Sequence, residues 1–168
     1  MPVMKVQSVR LWSALITLII LGCATVAQAA EFHLGALAGN WSGSGSYTEG
    51  ISTARLICRL TASGDDRQVH MTGRCGSSLG NEDVDMVLVR AAEGTVTVSS
   101  GTAASRRDSP VENLQGVPEG NQLVARGSAE DEVVTLVLRF EDTGVLRFAV
   151  QRRWTGGKEE SVVDLSAR

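Results

Sequence analysis

His33 and His70 are the only imidazoles in this 168-residue chain. Nucleophilic hydrolysis by a serine needs one of them as base, oriented by a carboxylate, and no G-x-S-x-G elbow presents a serine to either. His33 falls in an N-terminal turn. His70 alternates with Thr72 and Arg74, which points it outward from a strand. The glycine-rich stretch GSGSYTEG (43–50) matches neither G-x-G-x-x-G nor G-x-x-x-x-G-K-[ST], and no helical pattern follows it to hold a phosphate. Glu82, Asp83 and Asp85 in NEDVD supply oxygens of the kind Ca²⁺ takes, but without EF-hand spacing; their expected place is the wet face of a strand. Arg106-Arg107 and Arg152-Arg153 are isolated basic pairs, the first on a solvated loop. These residues predict no catalytic group, no metal and no cofactor, and therefore a non-enzymatic protein.

The cysteines carry the next piece of chemistry, and their meaning depends on the compartment. Lys5 and Arg10 precede an apolar run from Ala14 to Ala24, interrupted only by Thr17, and then the small residues of Ala27-Gln28-Ala29. This is the pattern of a signal peptide with an A-x-A cleavage site. The run is short for a span of about 20 residues. The expectation is a leader over 1–29 and a single domain over 30–168, in the periplasm or secreted. Ile20-Leu21-Gly22-Cys23 resembles the bacterial lipobox, so the alternative is an outer-membrane lipoprotein anchored through Cys23; a membrane enters only in that case. Removing the leader takes the net charge from −3 to −5. An acidic chain without a basic stripe argues against a nucleic-acid partner. Cys58 and Cys75 then remain, and in an oxidising compartment they are expected to pair.

Elements that could position these groups follow a period of two, not 3.6. Trp41, Gly43, Gly45 and Tyr47 share one strand face. Ala54, Leu56, Cys58 and Leu60 share another, opposite Arg55 and Arg59. Val69, Met71, Gly73 and Cys75 line up in the next run, which places both cysteines on inward faces of successive strands. Val84, Met86 and Leu88; Val96 and Val98; Val134, Leu136, Leu138 and Phe140; and Leu146, Phe148, Val150, Arg152 and Trp154 continue the alternation. Turn signals such as SGDD, PEGN and EDTG separate the runs. The stretch GTAASRRDSP (101–110) reads as a loop, and FHLGALAG (32–39) holds at most one helical turn. The fold class is therefore all-β: a single antiparallel up-and-down barrel of about 8–10 strands, closed to hide its edges.

Gly39-Asn40-Trp41 enters the first strand directly after that turn. A G-x-W at this place, in an exported meander of this length, resembles the calycin superfamily, the lipocalins and related small barrels. The resemblance implies that Trp41 closes one end of the barrel under an arginine from a late strand. Arg152 is the candidate by parity, with Arg168 the other. It also implies a binding role. Tyr47, Leu56, Met86, Leu136 and Phe148 would line a site for a small apolar or amphipathic ligand, with an envelope protein as the other partner class. Gly43 and Gly45 would leave space in the lumen or accommodate barrel curvature. The stretch LAGNW…CRL…C, residues 37–75, also resembles bacterial inhibitors of serralysin-type metalloproteases. That likeness implies inhibition through an N-terminal segment, Ala30 to Ala36. Those inhibitors carry a further Trp beyond the second Cys, and GSSLGNEDVDMVLV has none.

Overall fold

Alternating apolar and polar residues separated by glycine-bearing turns form ten strands and one 3-10 turn among the described residues. The computed structural model describes residues 31–101, 113–129, 131–141 and 143–168. The leader over 1–29 with its A-x-A site, Cys23, Ala30 and the Arg106-Arg107 pair lie outside the described residues. After the 3-10 turn Leu34–Leu37 come β1 (Gly39–Glu49), β2 (Ser52–Gly64), β3 (Gln68–Ser77), β4 (Gly80–Arg90) and β5 (Val96–Ser100). Then follow β6 (Leu114–Glu119), β7 (Gln122–Ala129), β8 (Glu132–Phe140), β9 (Val145–Trp154) and β10 (Gly157–Ala167). Each strand pairs antiparallel with the next, and β10 returns to β1, so the sheet closes into a ten-stranded barrel.

Closure rests on nine cross-strand pairs, from Trp41↔Ala167 to Glu49↔Glu159. Two inward glycines of β1 permit it. A Cβ on Gly45 would sit 2.8 Å from Val163 Cα and closer still to the Val162 carbonyl; one on Gly43 would meet the Asp164 carbonyl in the same way. The missing side chains thus make room for the backbone of β10, where β1 coils tightly, and not for a molecule in the lumen. Gly39, the first residue of G-x-W, has φ +143°, a region where a Cβ is strained. The chain needs glycine there to turn from the 3-10 segment into β1.

The inward residues form one apolar core, with Leu88, Leu123, Leu136, Leu138, Leu146 and Leu165 buried. Cys58 and Cys75 are direct partners across β2 and β3, with Cα atoms 4.1 Å apart, and are joined by a disulfide. Closing a loop of 17 residues is worth about 3 kcal/mol in the chain-entropy account. The narrowest seam joins β5 to β6 through three pairs, Val96↔Gly116 to Val98↔Leu114.

Candidate functional site

The two ends of the barrel differ. At the end where β1 begins, the chain closes its own lumen. Phe32, Leu34 and Leu37 have no exposed surface, because an apolar-rich segment preceding a barrel gains most by entering it. Polar ties fix the segment. The Phe32 amide donates to the Gly120 carbonyl at 2.6 Å, the Gly35 amide to Asp66 Oδ1 at 2.9 Å, and Arg90 Nη2 to the Phe32 carbonyl at 3.1 Å. Trp41 lies beneath, its Nε1–H donating to the Leu37 carbonyl at 2.7 Å. Phe140 packs between Phe32 and Trp41 in tilted contacts, with ring centroids 5.7 Å and 6.3 Å away.

Arg152 is not part of this end. Its parity is inward as expected, but it pairs with Glu159, which pairs with Glu49, eight residues along β1 from Trp41. That is roughly 26 Å of strand. The correction has a simple cause: alternation assigns a face to a residue and says nothing about which end of the strand it occupies. The inward arginine at the Trp41 end is Arg90. Arg168, the other candidate, lies on the outer wall, where its Nε donates to Ser42 Oγ at 2.6 Å.

At the opposite end the lumen opens. A recess of about 180 Å³ is lined by Tyr47, Leu56, Cys75, Leu79, Glu82, Arg152 and Glu159, among others. Below it a smaller space of about 30 Å³ reaches Met86, Phe148, Val150 and Ser161, sharing Leu56, Cys75 and Glu82 with the first. Of the five ligand-lining residues expected, Tyr47, Leu56, Met86 and Phe148 border these spaces. Leu136 is fully buried in the core and borders neither. A larger hollow of about 450 Å³ lies outside, over β6 and β7. It is bounded by one sheet surface only, so a molecule there would keep much of its contact with water.

The mouth is polar above an apolar floor. Arg152 Nε faces Glu132 Oε1 at 2.7 Å, and its Nη1 lies 3.6 Å from Glu159 Oε2. The first contact is an ion pair without hydrogen-bond alignment. The guanidinium is thus already committed to two carboxylates. Glu82 makes no hydrogen bond or ion pair among the described residues. It is wetted through the mouth, yet protein surrounds it elsewhere. Burial first, then the charge of Glu159, push its carboxyl above the usual range, against the pull of Arg152. The Tyr47 phenol is held far above its ordinary value by burial, then by Glu159 and Glu49. It therefore stays a donor, to Glu49 Oε2 at 3.3 Å.

Glu82, Glu132 and Glu159 were not singled out as lining residues by sequence, although Glu82 is in phase with Val84 and Met86, and Glu159 with Ser161 and Val163. Asp83 and Asp85 share the outer face, but only Asp83 is wet, paired with Arg74 at 2.7 Å. Asp85 is 8% exposed, with His70 Nε2 at 2.7 Å and Gly101 packed against its carboxylate. The expectation of a solvated Asp85 is corrected accordingly, because Gly101 packs over it; His70, with 44% of its side chain exposed, stays in contact with water. His33 is exposed beside the 3-10 turn.

The closed antiparallel sheet, with one 3-10 turn and no other helix among the described residues, and the N-terminal plug over a tryptophan give an all-β, lipocalin-like barrel fold. Among solved structures, the chain is similar to the S-type phycobiliprotein lyase CPES from Guillardia theta, with a TM-score of 0.56 and 10% identity, over 78% of this chain and 87% of that one. No protein-family model matches the chain, and no curated protein matches it by sequence. At 10% identity the likeness concerns the fold. It still corrects the expectation of a non-enzymatic protein: a barrel of this fold is a lyase, so the lack of a hydrolase motif does not remove catalysis from what such a barrel does.

Proposed function

We propose that this barrel binds a small amphipathic molecule in the recess at its mouth, working in the oxidising, exported setting that the leader and the Cys58–Cys75 bridge suggest. One observation carries the proposal. The recess has an apolar floor of Leu56, Met86 and Phe148, while at its rim Glu82 makes no hydrogen bond or ion pair among the described residues and the lining cation, Arg152, is already engaged by Glu132 and Glu159. Mostly apolar concavities with few polar groups are the usual form of small-ligand sites. Here the charge balance selects a head group that is cationic or rich in N–H donors. A carboxylate head would meet Glu82 and find no free guanidinium.

Inhibition of a metalloprotease through residues 30–36 is the competing reading. It needs that segment outside the barrel, whereas Phe32 and Leu34 are buried inside it and Phe32 is tied to Gly120 and Arg90.

The test is calorimetric titration with an alkylammonium, an alcohol and a carboxylate of one chain length, below their micelle concentrations. The ammonium should bind at least about tenfold tighter than the carboxylate, and Glu82→Gln should erase most of that difference. Equal affinity for the two heads, or a preference that survives Glu82→Gln, refutes the assignment. Since a barrel of this fold is a lyase in Guillardia theta, the recovered ligands are also analysed for chemical change.

A further inference from the structure

Large apolar side chains that face water are not spread evenly over this molecule. Ile51 is fully exposed in the β1–β2 turn, Leu79 is about half exposed in the β3–β4 turn, and Trp154 is 36% exposed where β9 enters its turn into β10. All three stand at the open end. By the strand order, these hairpins are consecutive around the barrel, and Leu79 itself lines the recess. The described turns at the plugged end (65–67, 91–95 and 120–121) carry no such side chain. Ile57, Val89, Val117 and Val133 are exposed on the outer wall as scattered single residues of the ordinary kind.

We infer that the open end docks onto the surface of a phospholipid bilayer through Ile51, Leu79 and Trp154, so that the recess faces the lipid. Neighbouring hairpins lie two strands apart, about 10 Å. The tips are therefore separate points and not one packed patch. A protein partner recognises a contiguous, desolvated centre. The acyl–headgroup boundary accepts isolated apolar side chains and favours an indole in particular. The described charges at this end are net acidic, Glu49, Glu82, Asp131, Glu132, Glu159 and Glu160 against Arg152, Arg153 and Lys158, which fits the ammonium of a zwitterionic headgroup and disfavours an anionic one. This docking does not depend on the identity of the recess ligand.

The experiment is flotation with phosphatidylcholine vesicles, with and without added phosphatidylglycerol, plus quenching of tryptophan by brominated lipid. Full chains with identical N-termini are used throughout, so any contribution of the leader cancels between variants. Each substitution Ile51→Ser, Leu79→Ser or Trp154→Ser should weaken partitioning by about tenfold, with the melting temperature unchanged. The wall controls Ile57→Ser and Val117→Ser should bind as wild type. Trp154→Phe should remove a quenched component from the emission. Added phosphatidylglycerol should not strengthen binding, at low salt or in 0.5 M salt. Rim variants that float like wild type, wall variants that lose as much, or binding that requires the anionic lipid would each overturn the inference.

Discussion

Trp41→Ala is the most informative single perturbation of this fold. Trp41 is 6% exposed, touches Phe140 and gives its indole N–H to the Leu37 carbonyl at 2.7 Å. Truncating a buried aromatic to alanine costs roughly 3–5 kcal/mol. The buried Leu37 carbonyl then loses its donor, which adds about 1–3 kcal/mol. The sum, about 4–8 kcal/mol, compares with a total stability of about 5–15 kcal/mol for a domain. For a chain of this size the melting temperature should fall by on the order of 15–25 °C, or the protein should fail to fold. Trp41→Phe keeps most of the ring and removes only the N–H, so its loss should be nearer 1–3 kcal/mol. Thermal melts followed by circular dichroism at one pH measure both. An alanine variant melting within a few degrees of wild type would show that Trp41 does not hold the plug. Equal losses for the two variants would assign the effect to the hydrogen bond and not to packing.

Other expectations concern the seam, the bridge, the recess and the N-terminus. Gly45→Ala should destabilise strongly, by several-fold more than the ~1 kcal/mol scale of ordinary glycine effects, because its Cβ meets the β10 backbone; Gly80→Ala, with nothing within 4 Å, is the neutral control in the same melts. Cys58→Ala/Cys75→Ala should lose about 3 kcal/mol in denaturant unfolding, and a midpoint identical to wild type would show the bridge to be idle. Glu82 has a folded-state pKa raised above its ordinary 4.5, so its favourable protonated form is complete below that value and is lost as pH rises through the folded pKa. Glu82→Gln should therefore stabilise at pH 7 relative to wild type but not at pH 4; parallel melting curves across that range would contradict the raised pKa. Intact mass of the exported protein should place its first residue near Ala30, and a diacylglycerol adduct on Cys23 would replace that expectation with a lipoprotein.

Period-two alternation was enough to infer the barrel, because a strand half-buried in a closed sheet leaves no other pattern. It also put Leu56, Met86 and Phe148 on the inner face. It failed where position along a strand mattered more than face. Arg152 turns inward at the mouth and not over Trp41, and Leu136 lies too deep to line the recess. For Gly43 and Gly45 the alternation showed the inward direction but could not choose between lumen space and barrel curvature, because the approach of β10 that fills their space joins residues more than a hundred positions apart. Glu82 was legible and passed over, since a carboxylate in phase with Val84 and Met86 is by that fact an inward carboxylate. The plug was read only as a turn, although Phe32, Leu34 and Leu37 are more apolar than a surface turn requires.

The pairing of β1 with β10 also has a consequence in time. On a ribosome, or through a translocation pore, this chain emerges from its N-terminal side. Its first strand then has one neighbour, β2, until residues 157–167 arrive to complete the nine pairs of the closing seam. The segment around Phe32 likewise waits for Gly120. Contacts of such long sequence separation form slowly, in milliseconds to seconds for β-rich domains. During that interval the nascent chain displays an open edge and an unburied Phe32-Leu34-Leu37 cluster, the kind of surface that holding chaperones protect.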